Sequence, residues 1–445
     1  MHTFKLLSTV MCAFVTLATA AGTPSKCAQA GCVSGGLGNV VETLDCTEGS
    51  CSGKSEADWE GLSLAQGLRR AHPAIPFRIL ERDTSSSFRA QGYRIRISPE
   101  GGAALRDLLP ERLWRTFEAS CAPVLPGFGR LDAMSSTPAQ WTQTPPPANA
   151  NTLHSRPAAG KSYNADRAMA QCRWPLATEA GRLGVCSSGA DGIRSAVRKQ
   201  LMPGFTVLDT EGRAVHGKTF LTSEVRKAIA PELLKGLTLV GEASESPMKL
   251  FCDVMHFNEA GLTAEMRREL GVPADYIYWV LSFRKDVVSH LRRGLLTLDG
   301  GQSASLAKAL TASWHPSIRA LIGNQDEFSA STLLFQAAEW KRLSKDGSSS
   351  GSECRATTLL GEAAHPMSPV GGVGANSAFQ DAVDLLNALK EAYRGFVEHK
   401  NLMDRVRAYE GSMVERGVRM VQLSAGGAGR MFGMRPMAEL KPANV

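Results

Sequence analysis

The sequence predicts an α/β fold, in which a nucleotide-binding α/β unit is interrupted by a mostly antiparallel β region and closed by helices. Three observations support this prediction. A helical run that begins at Gly61 is followed by a strand-like segment at 75–83, IPFRILERD. Between residues 203 and 290, short apolar runs alternate with polar turns, which is typical of antiparallel strands. Two amphipathic helices are predicted at 378–394 and 400–424, after a glycine-rich turn.

The composition narrows the classes of function. The chain has 445 residues, of which 43% are hydrophobic, and this is enough for two or three domains with a sizeable core. Its 50 Lys and Arg residues and 43 Asp and Glu residues give a formal charge of +7, and the basic residues are scattered. A nucleic-acid-binding surface needs a basic stripe with interleaved aromatic residues, so nucleic acid is not an expected partner. Phosphorylated cofactors or carboxylated aromatic compounds fit this charge balance better.

The first 20 residues have the layout of a secretory signal peptide. A short, weakly basic start precedes an apolar stretch at 6–18, and Ala18 and Ala20 form a small-x-small cleavage pattern. The stretch is too short for a stable membrane span. The alternative is a buried apolar element of the mature protein. The expected location is therefore the secretory pathway, or the cytoplasm if this N-terminus is wrongly assigned.

Residues 21–55 are rich in Cys, Gly and Ser and are predicted to be irregular. Four cysteines here show two C-x4-C spacings, which are looser than the C-x2-C pairs of a zinc site: Cys27, Cys32, Cys46 and Cys51. In the secretory pathway these residues would form disulfides, in a pairing that the spacing leaves open. No metal site is predicted.

The helix that begins at Gly61 carries part of a dinucleotide-binding fingerprint. In the pattern G-x-G-x-x-G only the third glycine, Gly61, is present. Glu56, Asp58 and Glu60 would place negative charge where backbone N–H groups should meet a pyrophosphate. Glu81 closes the next strand, 20 residues after Gly61, at the position where a carboxylate accepts hydrogen bonds from a ribose.

Two further stretches have a weaker individual signal. The segment 87–98, SFRAQGYRIRIS, places three arginines and a glycine shortly after Glu81. In 189–201, GADGIRSAVRKQL, Asp191 and Gly192 form a tight turn before a helix with basic residues, which suits the edge of a diphosphate. The proline-rich segment 136–162 between them is predicted to be a loop.

The most specific stretch is 357–389. A strand ends at Gly361, an acidic residue follows at Glu362, and His365 precedes a proline. Glycines at 371–374 allow the backbone to approach a ligand before a helix begins near Asn376. The N–H groups at such a helix start can face a phosphate or a polarised carbonyl.

This stretch closely resembles the flavin-contacting motif of the FAD-dependent aromatic hydroxylases, the class A flavoprotein monooxygenases related to salicylate and p-hydroxybenzoate hydroxylase. The family pattern is G-D-A-A-H-x-x-x-P, then G-x-G-x-N, then a helix with an acid. The matching residues are Gly361, Glu362, Ala363, Ala364, His365, Pro369, Gly372, Gly374, Asn376 and Asp381. The stretches at 75–98 and 189–201 are similar to other motifs of the family in the same order, so the resemblance covers roughly 61–435.

The resemblance implies a Rossmann-like FAD-binding domain, incomplete at its N-terminus, with an inserted β substrate domain. The implied domain bounds are a leader at 1–20, an irregular segment at 21–55, cofactor-domain parts at 56–202 and 301–445, and the substrate domain at 203–300. The implied cofactor-binding residues are Glu81 for the ribose, Arg89 and Gly92 beside the flavin, Arg167 on a supporting helix, Asp191 and Gly192, Glu362 for the ribityl chain, and Gly374, Ala375 and Asn376 beside the isoalloxazine ring.

The implied activity is FAD-dependent hydroxylation of an aromatic or other electron-rich small molecule with NAD(P)H and O₂, in the biosynthesis of specialised metabolites. No catalytic base is identified. Tyr276, Tyr278, Trp279 and Arg284 are candidate pocket residues, although alternating aromatics on a strand also suit core packing. The alternative is a non-catalytic remnant of the fold, or a chain with wrongly assigned exons, that binds FAD weakly or not at all.

Overall fold

The computed structural model of the protein describes residues 42–47, 50–52, 59–72, 75, 77–81, 95–123, 125, 128–139, 153–155, 171–177, 183–242, 248–257, 263, 265, 267, 272–289, 294–339, 356–394 and 399–443. The predicted leader at 1–20 and the predicted site residues Arg89, Gly92 and Arg167 lie outside these residues. So do Glu56 and Asp58 of the incomplete fingerprint.

The described α-helices fall mainly in the segments that the periodicity predicts. They are α1 (Trp59–Arg70), α2 (Pro99–Leu108), α3 (Glu111–Ser120), α4 (Ala196–Leu201), α5 (Ser223–Ala228), α6 (Gly300–Leu310), α7 (Pro316–Gly323), α8 (Gly374–Arg394) and α9 (His399–Phe432). The two long C-terminal helices are confirmed. None of the helices in the described ranges is long and apolar enough to cross a membrane.

The described strands form three sheets. They are β1 (Glu42–Thr47), β2 (Ser50–Ser52), β3 (Phe77–Glu81), β4 (Ile95–Ile97), β5 (Ala122–Pro123), β6 (Phe128–Asp132), β7 (Leu153–Ser155), β8 (Gln171–Ala177), β9 (Leu183–Gly189), β10 (Thr206–Phe220), β11 (Leu237–Gly241), β12 (Lys249–Met255), β13 (Tyr276–Arg284), β14 (Ser331–Glu339), β15 (Ala356–Leu359) and β16 (Lys441–Pro442).

The first sheet has the order β15-β9-β8-β3-β1-β2 and belongs to the cofactor domain. β15 runs parallel to β9, whereas β3 is antiparallel to both of its neighbours, β1 and β8. Two residues separate β1 from β2 and five separate β8 from β9. Such short connections permit only antiparallel pairing, because a parallel crossover needs a dozen or more residues. The prediction that 21–55 is irregular is therefore wrong for β1 and β2.

The second sheet has the order β14-β10-β13-β12-β11-β6, with β16 paired to β10. Its central strands are antiparallel, as predicted, but β6 is parallel to β11. Because β6 and β14 join it, the sheet extends beyond the predicted bounds of 203–300. Helices α5, α6 and α7 cover one of its faces, where Trp279 and Trp314 are buried.

The third sheet is small and has the order β4-β7-β5. Its central strand β7 lies inside the segment 136–162, so that segment is not a loop throughout. The prediction failed there because proline content describes the local chain, whereas β7 is defined by pairing with strands far away in sequence.

Helices α1 and α8 cross closely and form the core of the cofactor domain. Leu64 and Leu68 of α1 are fully buried, which contributes about 2 kcal/mol each. A Cβ atom at Gly67 would lie 2.5 Å from the Leu386 side chain, so any other residue here would require the Leu386 side chain to shift. The tight contact of α1 against α8 holds the start of α8 in place for the site below.

Candidate functional site

The glycine-rich turn before α8 is held by the Asn376 side chain. Asn376 Nδ2 donates to the carbonyl oxygens of Arg96 (2.8 Å) and Gly372 (2.9 Å), and its Oδ1 accepts from the Ser98 N–H (2.8 Å). Gly372 has a φ of +64°, which L side chains rarely adopt. Asn376 is buried and its side chain binds protein backbone, so its predicted contact with the cofactor stays a prediction that concerns its main chain.

The start of α8 has the geometry of an anion-binding helix terminus. Gly374, Ala375 and Asn376 are its first residues, so their N–H groups have no acceptor within the helix. Gly371 and Gly372 are exposed, and Gly374 and Ala375 are half-buried. The N–H groups and the positive end of the helix dipole therefore suit a phosphate or a polarised carbonyl.

The turn after β15 is fixed by a buried carboxylate, Asp381 of α8. Its Oδ2 accepts from His365 Nε2 (2.5 Å) and from the Gly361 N–H (3.3 Å), and its Oδ1 accepts from Arg416 Nε of α9 (3.0 Å). Burial opposes charge on His365, but the charge and hydrogen bond of Asp381 overcome it and raise the pKa of His365. Glu362 lies between these anchored residues, half-buried, and its backbone is thereby held at the end of β15.

The turn after β9 carries Asp191 and Gly192. Asp191 is 3% exposed, and its Oδ2 accepts from the N–H groups of Ala196 (2.8 Å) and Val197 (3.3 Å). Gly192 has a φ of +68°, as this tight turn requires. Burial raises the pKa of the Asp191 carboxyl, against the hydrogen bonds that it accepts.

Arg198 joins the two turns. It is 2% exposed, its Nη1 donates to the Ala363 carbonyl oxygen (2.7 Å), and its guanidinium lies 5.0 Å from the centroid of the Phe205 ring. Burial lowers the pKa of Arg198, while the charges of Asp191 and Glu362 act in the opposite direction. The sequence indicated Arg198 only as a basic residue of the helix after the turn, because its hydrogen-bond partner, Ala363, lies 165 residues away.

The strand register brings three predicted residues to one edge of the first sheet. Leu80 of β3, Gln171 of β8, Gly189 of β9 and Leu359 of β15 lie in one row. Glu81, Asp191 and Glu362 follow this row at the carboxyl ends of β3, β9 and β15, respectively. With strands about 4.8 Å apart, this edge spans about 14 Å.

This edge fits an extended cofactor such as FAD. Among the described residues, Asp191 Oδ1 and Ser188 Oγ are buried without a hydrogen-bond partner, so polar atoms are available there. Two carboxyl-end turns and one helix terminus meet at the same edge, which is where nucleotide ligands bind in open α/β sheets. The side chain of Glu81 is not among the described atoms, so its ribose contact stays a prediction.

One face of the second sheet is directed toward this turn. Val370, directly before the glycine-rich turn, packs against the buried cluster of Ala214, Phe335, Ala428 and Phe432, and Val280 packs against the same cluster. Cross-strand register places His216, Lys218, Tyr276, Tyr278 and Asp253 on the same face as Val280. We call the set His216, Lys218, Asp253, Tyr276, Tyr278 and Val280 the polar sheet face.

The four candidate pocket residues do not all lie in one place on the second sheet. Tyr276 and Tyr278 lie on the polar sheet face. Trp279 lies on the opposite face, fully buried, and its Nε1 donates to Thr219 Oγ1 (3.2 Å), so it is a core residue. Arg284 lies at the end of β13 and forms an ion pair with Asp286 (2.7 Å). Trp279 and Arg284 are therefore removed from the candidate pocket.

His216 is a site residue that sequence reasoning missed. It is 1% exposed, and its ring centroid lies 6.3 Å from that of Tyr278. Burial, with a smaller effect of Lys218, lowers the pKa of His216 to about 3, so the imidazole is neutral at physiological pH. The alternation of His216, Lys218 and Phe220 along β10 is the signal that could have placed it on the same face as the tyrosines.

A sheet edge that fits a dinucleotide, beside a β-sheet with a polar and aromatic face, defines a class of flavin-dependent oxidoreductases. Residues 351–422 match the family of FAD binding domains. Over 452 residues the chain is 30% identical to the dual O-methyltransferase/FAD-dependent monooxygenase elcB of Phaeosphaeria nodorum, covering 86% of this chain and 46% of that protein. The chain thus spans about half the length of this relative.

Solved structures show the same fold. A putative FAD-containing monooxygenase from Photorhabdus luminescens aligns with a TM-score of 0.56 at 20% identity, covering 83% of this chain and 96% of the other. A salicylate hydroxylase in complex with its substrate aligns with a TM-score of 0.54 at 15% identity, covering 85% and 87%. The chain is thus similar to FAD-dependent monooxygenases over most of its length, which confirms the resemblance, and the solved structures confirm the α/β fold class.

Proposed function

We propose that this protein is an FAD-dependent monooxygenase that hydroxylates an aromatic or other electron-rich small molecule with NAD(P)H and O₂. One observation carries the proposal. Val370 before the glycine-rich turn and Val280 of the polar sheet face pack against one buried cluster, so a flavin on that turn would lie near the sheet face that bears the tyrosine and histidine side chains. The arrangement puts a redox cofactor and a pocket for an aromatic ring next to each other.

The chain's own residues would bind and orient the reactants. The N–H groups of Gly374 and Ala375 suit the polarised carbonyls of the isoalloxazine ring. Glu362 is held at the sheet edge, where its carboxylate can accept hydrogen bonds from ribityl hydroxyl groups, and the turn at Asp191 and Gly192 lies at the same edge, where the diphosphate would bind. Tyr276, Tyr278 and His216 present polar atoms on an otherwise apolar face, which orients a hydroxylated ring and limits access of water. When bound, FAD supplies the redox chemistry that activates O₂ with electrons from NAD(P)H.

The test is made on the purified full-length chain. We expect a yellow protein with flavin absorbance, or uptake of added FAD, and consumption of NAD(P)H that phenolic compounds stimulate. Oxygen from ¹⁸O₂ is expected in a hydroxylated product. A folded protein that takes up no FAD would refute the proposal, and NAD(P)H consumption without labelled product would point to another flavin oxidation.

A non-catalytic remnant is the second candidate, favoured by the antiparallel pairing of β3. A parallel β-α-β unit would place a parallel strand beside β3, but in the described residues both of its neighbours run the other way. In a remnant, the pyrophosphate end would bind weakly. An FAD dissociation constant in the millimolar range with an intact fold would support this candidate.

The relative's name supports a place in specialised metabolism. The name of elcB of Phaeosphaeria nodorum describes it as a dual O-methyltransferase and FAD-dependent monooxygenase. Hydroxylation of an aromatic ring creates a phenolic oxygen, which is the group that an O-methyltransferase consumes. We propose that this chain supplies such a phenol, and co-incubation with an O-methyltransferase and labelled methyl donor would test the order of the two steps.

For the location we propose the secretory pathway, on the basis of the pattern at 1–20. An N-terminal sequence of the mature protein that begins near residue 21 would support it. A cytoplasmic protein that retains residues 1–20 would contradict it.

A further inference from the structure

A methionine sulfur lies beside the start of α8, where the proposed function places the flavin ring. A Cβ atom at Gly374, the first residue of α8, would lie 3.7 Å from Met367 Cγ and 3.9 Å from Met367 Sδ. Met367 is only 8% exposed. Its thioether is therefore a close neighbour of the helix start whose N–H groups suit the isoalloxazine ring.

The backbone on both sides of Met367 is fixed by other elements. The Pro366 carbonyl oxygen accepts from the Ala338 N–H of β14 (2.7 Å), and the Ser368 carbonyl oxygen accepts from Ser424 Oγ of α9 (2.5 Å). The proline ring also restricts the backbone directly before Met367. Because β14 and α9 both hold this segment, the methionine stays beside the turn.

The surroundings of the Met367 side chain are apolar. It packs in one cluster with Ala338 and Val421, which are both buried. Oxidation to the sulfoxide converts this flexible apolar side chain into a polar one. A sulfoxide oxygen is unfavourable in such a cluster unless it gains a hydrogen-bond partner. Oxidation of Met367 would therefore displace its side chain and disturb the neighbouring Gly374.

The proposed reaction supplies an oxidant at this place. In the absence of a compound to hydroxylate, NAD(P)H, a proton and O₂ give NAD(P)⁺ and hydrogen peroxide in the flavin site. The thioether sulfur attacks one peroxide oxygen, so that an S–O bond forms while the O–O bond breaks. The other peroxide oxygen takes up the remaining proton and leaves as water. The sulfur is oxidised by two electrons, and the peroxide is reduced by the same two.

We propose that Met367 is a site of oxidative modification: peroxide formed beside α8 converts it to methionine sulfoxide and thereby weakens FAD binding. This inference rests on the proposed function, since that reaction supplies the peroxide. Methionine sulfoxide reductases would reverse the change. The protein would therefore lose cofactor affinity when it consumes NAD(P)H without hydroxylating a substrate, and would regain it after repair.

The test compares Met367 with Met134, which is 51% exposed. The FAD-loaded protein consumes NAD(P)H in air without a substrate, and catalase removes peroxide that reaches the solution. Peptide masses then report oxidation as a gain of about 16 Da, and we expect at least about tenfold more of it at Met367 than at Met134. Hydrogen peroxide added to the same protein without NAD(P)H and catalase should give the reverse order, because exposure then decides.

Matched variants connect the modification with cofactor binding. After consumption of the same amount of NAD(P)H, the wild type is expected to bind FAD at least about fivefold more weakly, whereas Met367→Leu, of similar volume, keeps its initial affinity. Met134→Leu should behave like the wild type, and sulfoxide reductases should restore the wild-type affinity. If Met367→Leu does not fold in thermal melting, the peptide masses and the repair of the wild type decide. More oxidation at Met134 than at Met367 in the presence of catalase, or an oxidised Met367 with unchanged FAD affinity, would overturn the inference.

A second way of forming the peroxide separates this inference from the proposed function. If FAD binds but NAD(P)H is not consumed, the proposed function fails, and the bound FAD is instead reduced by light with EDTA and reoxidised by air. Oxidation of Met367 ahead of Met134 would still support the inference, and the reverse order would overturn it. A protein that binds no FAD, as shown by its flavin absorbance, would refute both.

Discussion

At the scale of single residues, the buried Asp381 carboxylate holds several parts of the candidate site together through the hydrogen bonds that it accepts. It accepts hydrogen bonds from the Gly361 N–H and from His365, both in the turn after β15, and from Arg416 of α9. A fully buried carboxylate is stable only with such partners, and its partners are stable only with it. The position of the Glu362 turn therefore depends on one side chain of α8.

Asp381→Asn is expected to lower the free energy of unfolding by about 3 kcal/mol, because His365 and Arg416 lose a buried charged partner. Urea denaturation measures this change. Asp404→Asn, which removes an exposed carboxylate from α9, should change the free energy of unfolding by less than about 0.5 kcal/mol. Similar losses in the two variants would contradict the role given to Asp381.

The His365–Asp381 pair should also make stability depend on pH. The pKa of His365 is raised in the folded protein above its ordinary value of 6.5. The stabilisation is therefore fully present below pH 6.5 and is lost as the pH rises through the higher, folded value. We expect the free energy of unfolding to fall over this range in the wild type and to fall less in His365→Gln, measured by urea denaturation at successive pH values. Parallel curves for the two proteins would show that another group causes the change.

At the scale of elements, α2 and α8 meet through a glycine. A Cβ atom at Gly101 would lie 2.0 Å from Asn376 Oδ1, the atom that accepts from Ser98. Gly101→Ala is expected to displace Asn376 and to lower the free energy of unfolding by about 1–3 kcal/mol. Gly411→Ala in α9, where a Cβ atom meets nothing within 4 Å, should instead raise it by about 0.5–1 kcal/mol through helix propensity. Thermal melting of both variants gives the comparison, and destabilisation by both would contradict it.

The elements also show how far sequence reasoning reaches. The turns at Gly192 and Gly372 were predictable, because turn conformations depend on a few adjacent residues. Strand β7 inside the proline-rich segment and the placement of β8 beside β3 were not predictable, since they depend on partners distant in sequence. The alternation along β10 would have placed His216 beside Lys218, but the direction of that face depends on Val370, about 150 residues away. The role of the Asn376 side chain in holding the turn could not be predicted either, since it depends on contact with Ser98, which is distant in sequence.

At the scale of the whole molecule, the cofactor domain and the second sheet are joined at a β-bulge. The register of β10 against β14 shifts between Asp209 and Arg213, and Glu211 there has a φ of +62°. A Cβ atom at Gly212 would lie 2.5 Å from the Phe432 ring of α9. Helix α9 therefore contacts both the turn of the flavin motif and the sheet that bears the polar face. A substitution that displaces α9 at one of these contacts should also alter the other.

Cofactor binding and global stability should consequently be linked, with Arg198 as the connecting residue between the two turns. At a concentration 100 times its dissociation constant, FAD is expected to raise the free energy of unfolding by about 2.7 kcal/mol. Arg198→Met removes the hydrogen bond to Ala363 while keeping an apolar stem against Phe205, so FAD should bind at least about tenfold more weakly and stabilise correspondingly less. Thermal melting with and without FAD, together with quenching of flavin fluorescence, measures both effects.

Arg112→Met, which changes an exposed arginine of α3, serves as the matched control and should bind FAD as the wild type does. Because the buried Arg198 side chain donates to the Ile193 carbonyl oxygen in one turn and to the Ala363 carbonyl oxygen in the other, undiminished stabilisation by FAD in Arg198→Met would mean that each turn holds its shape independently of the other.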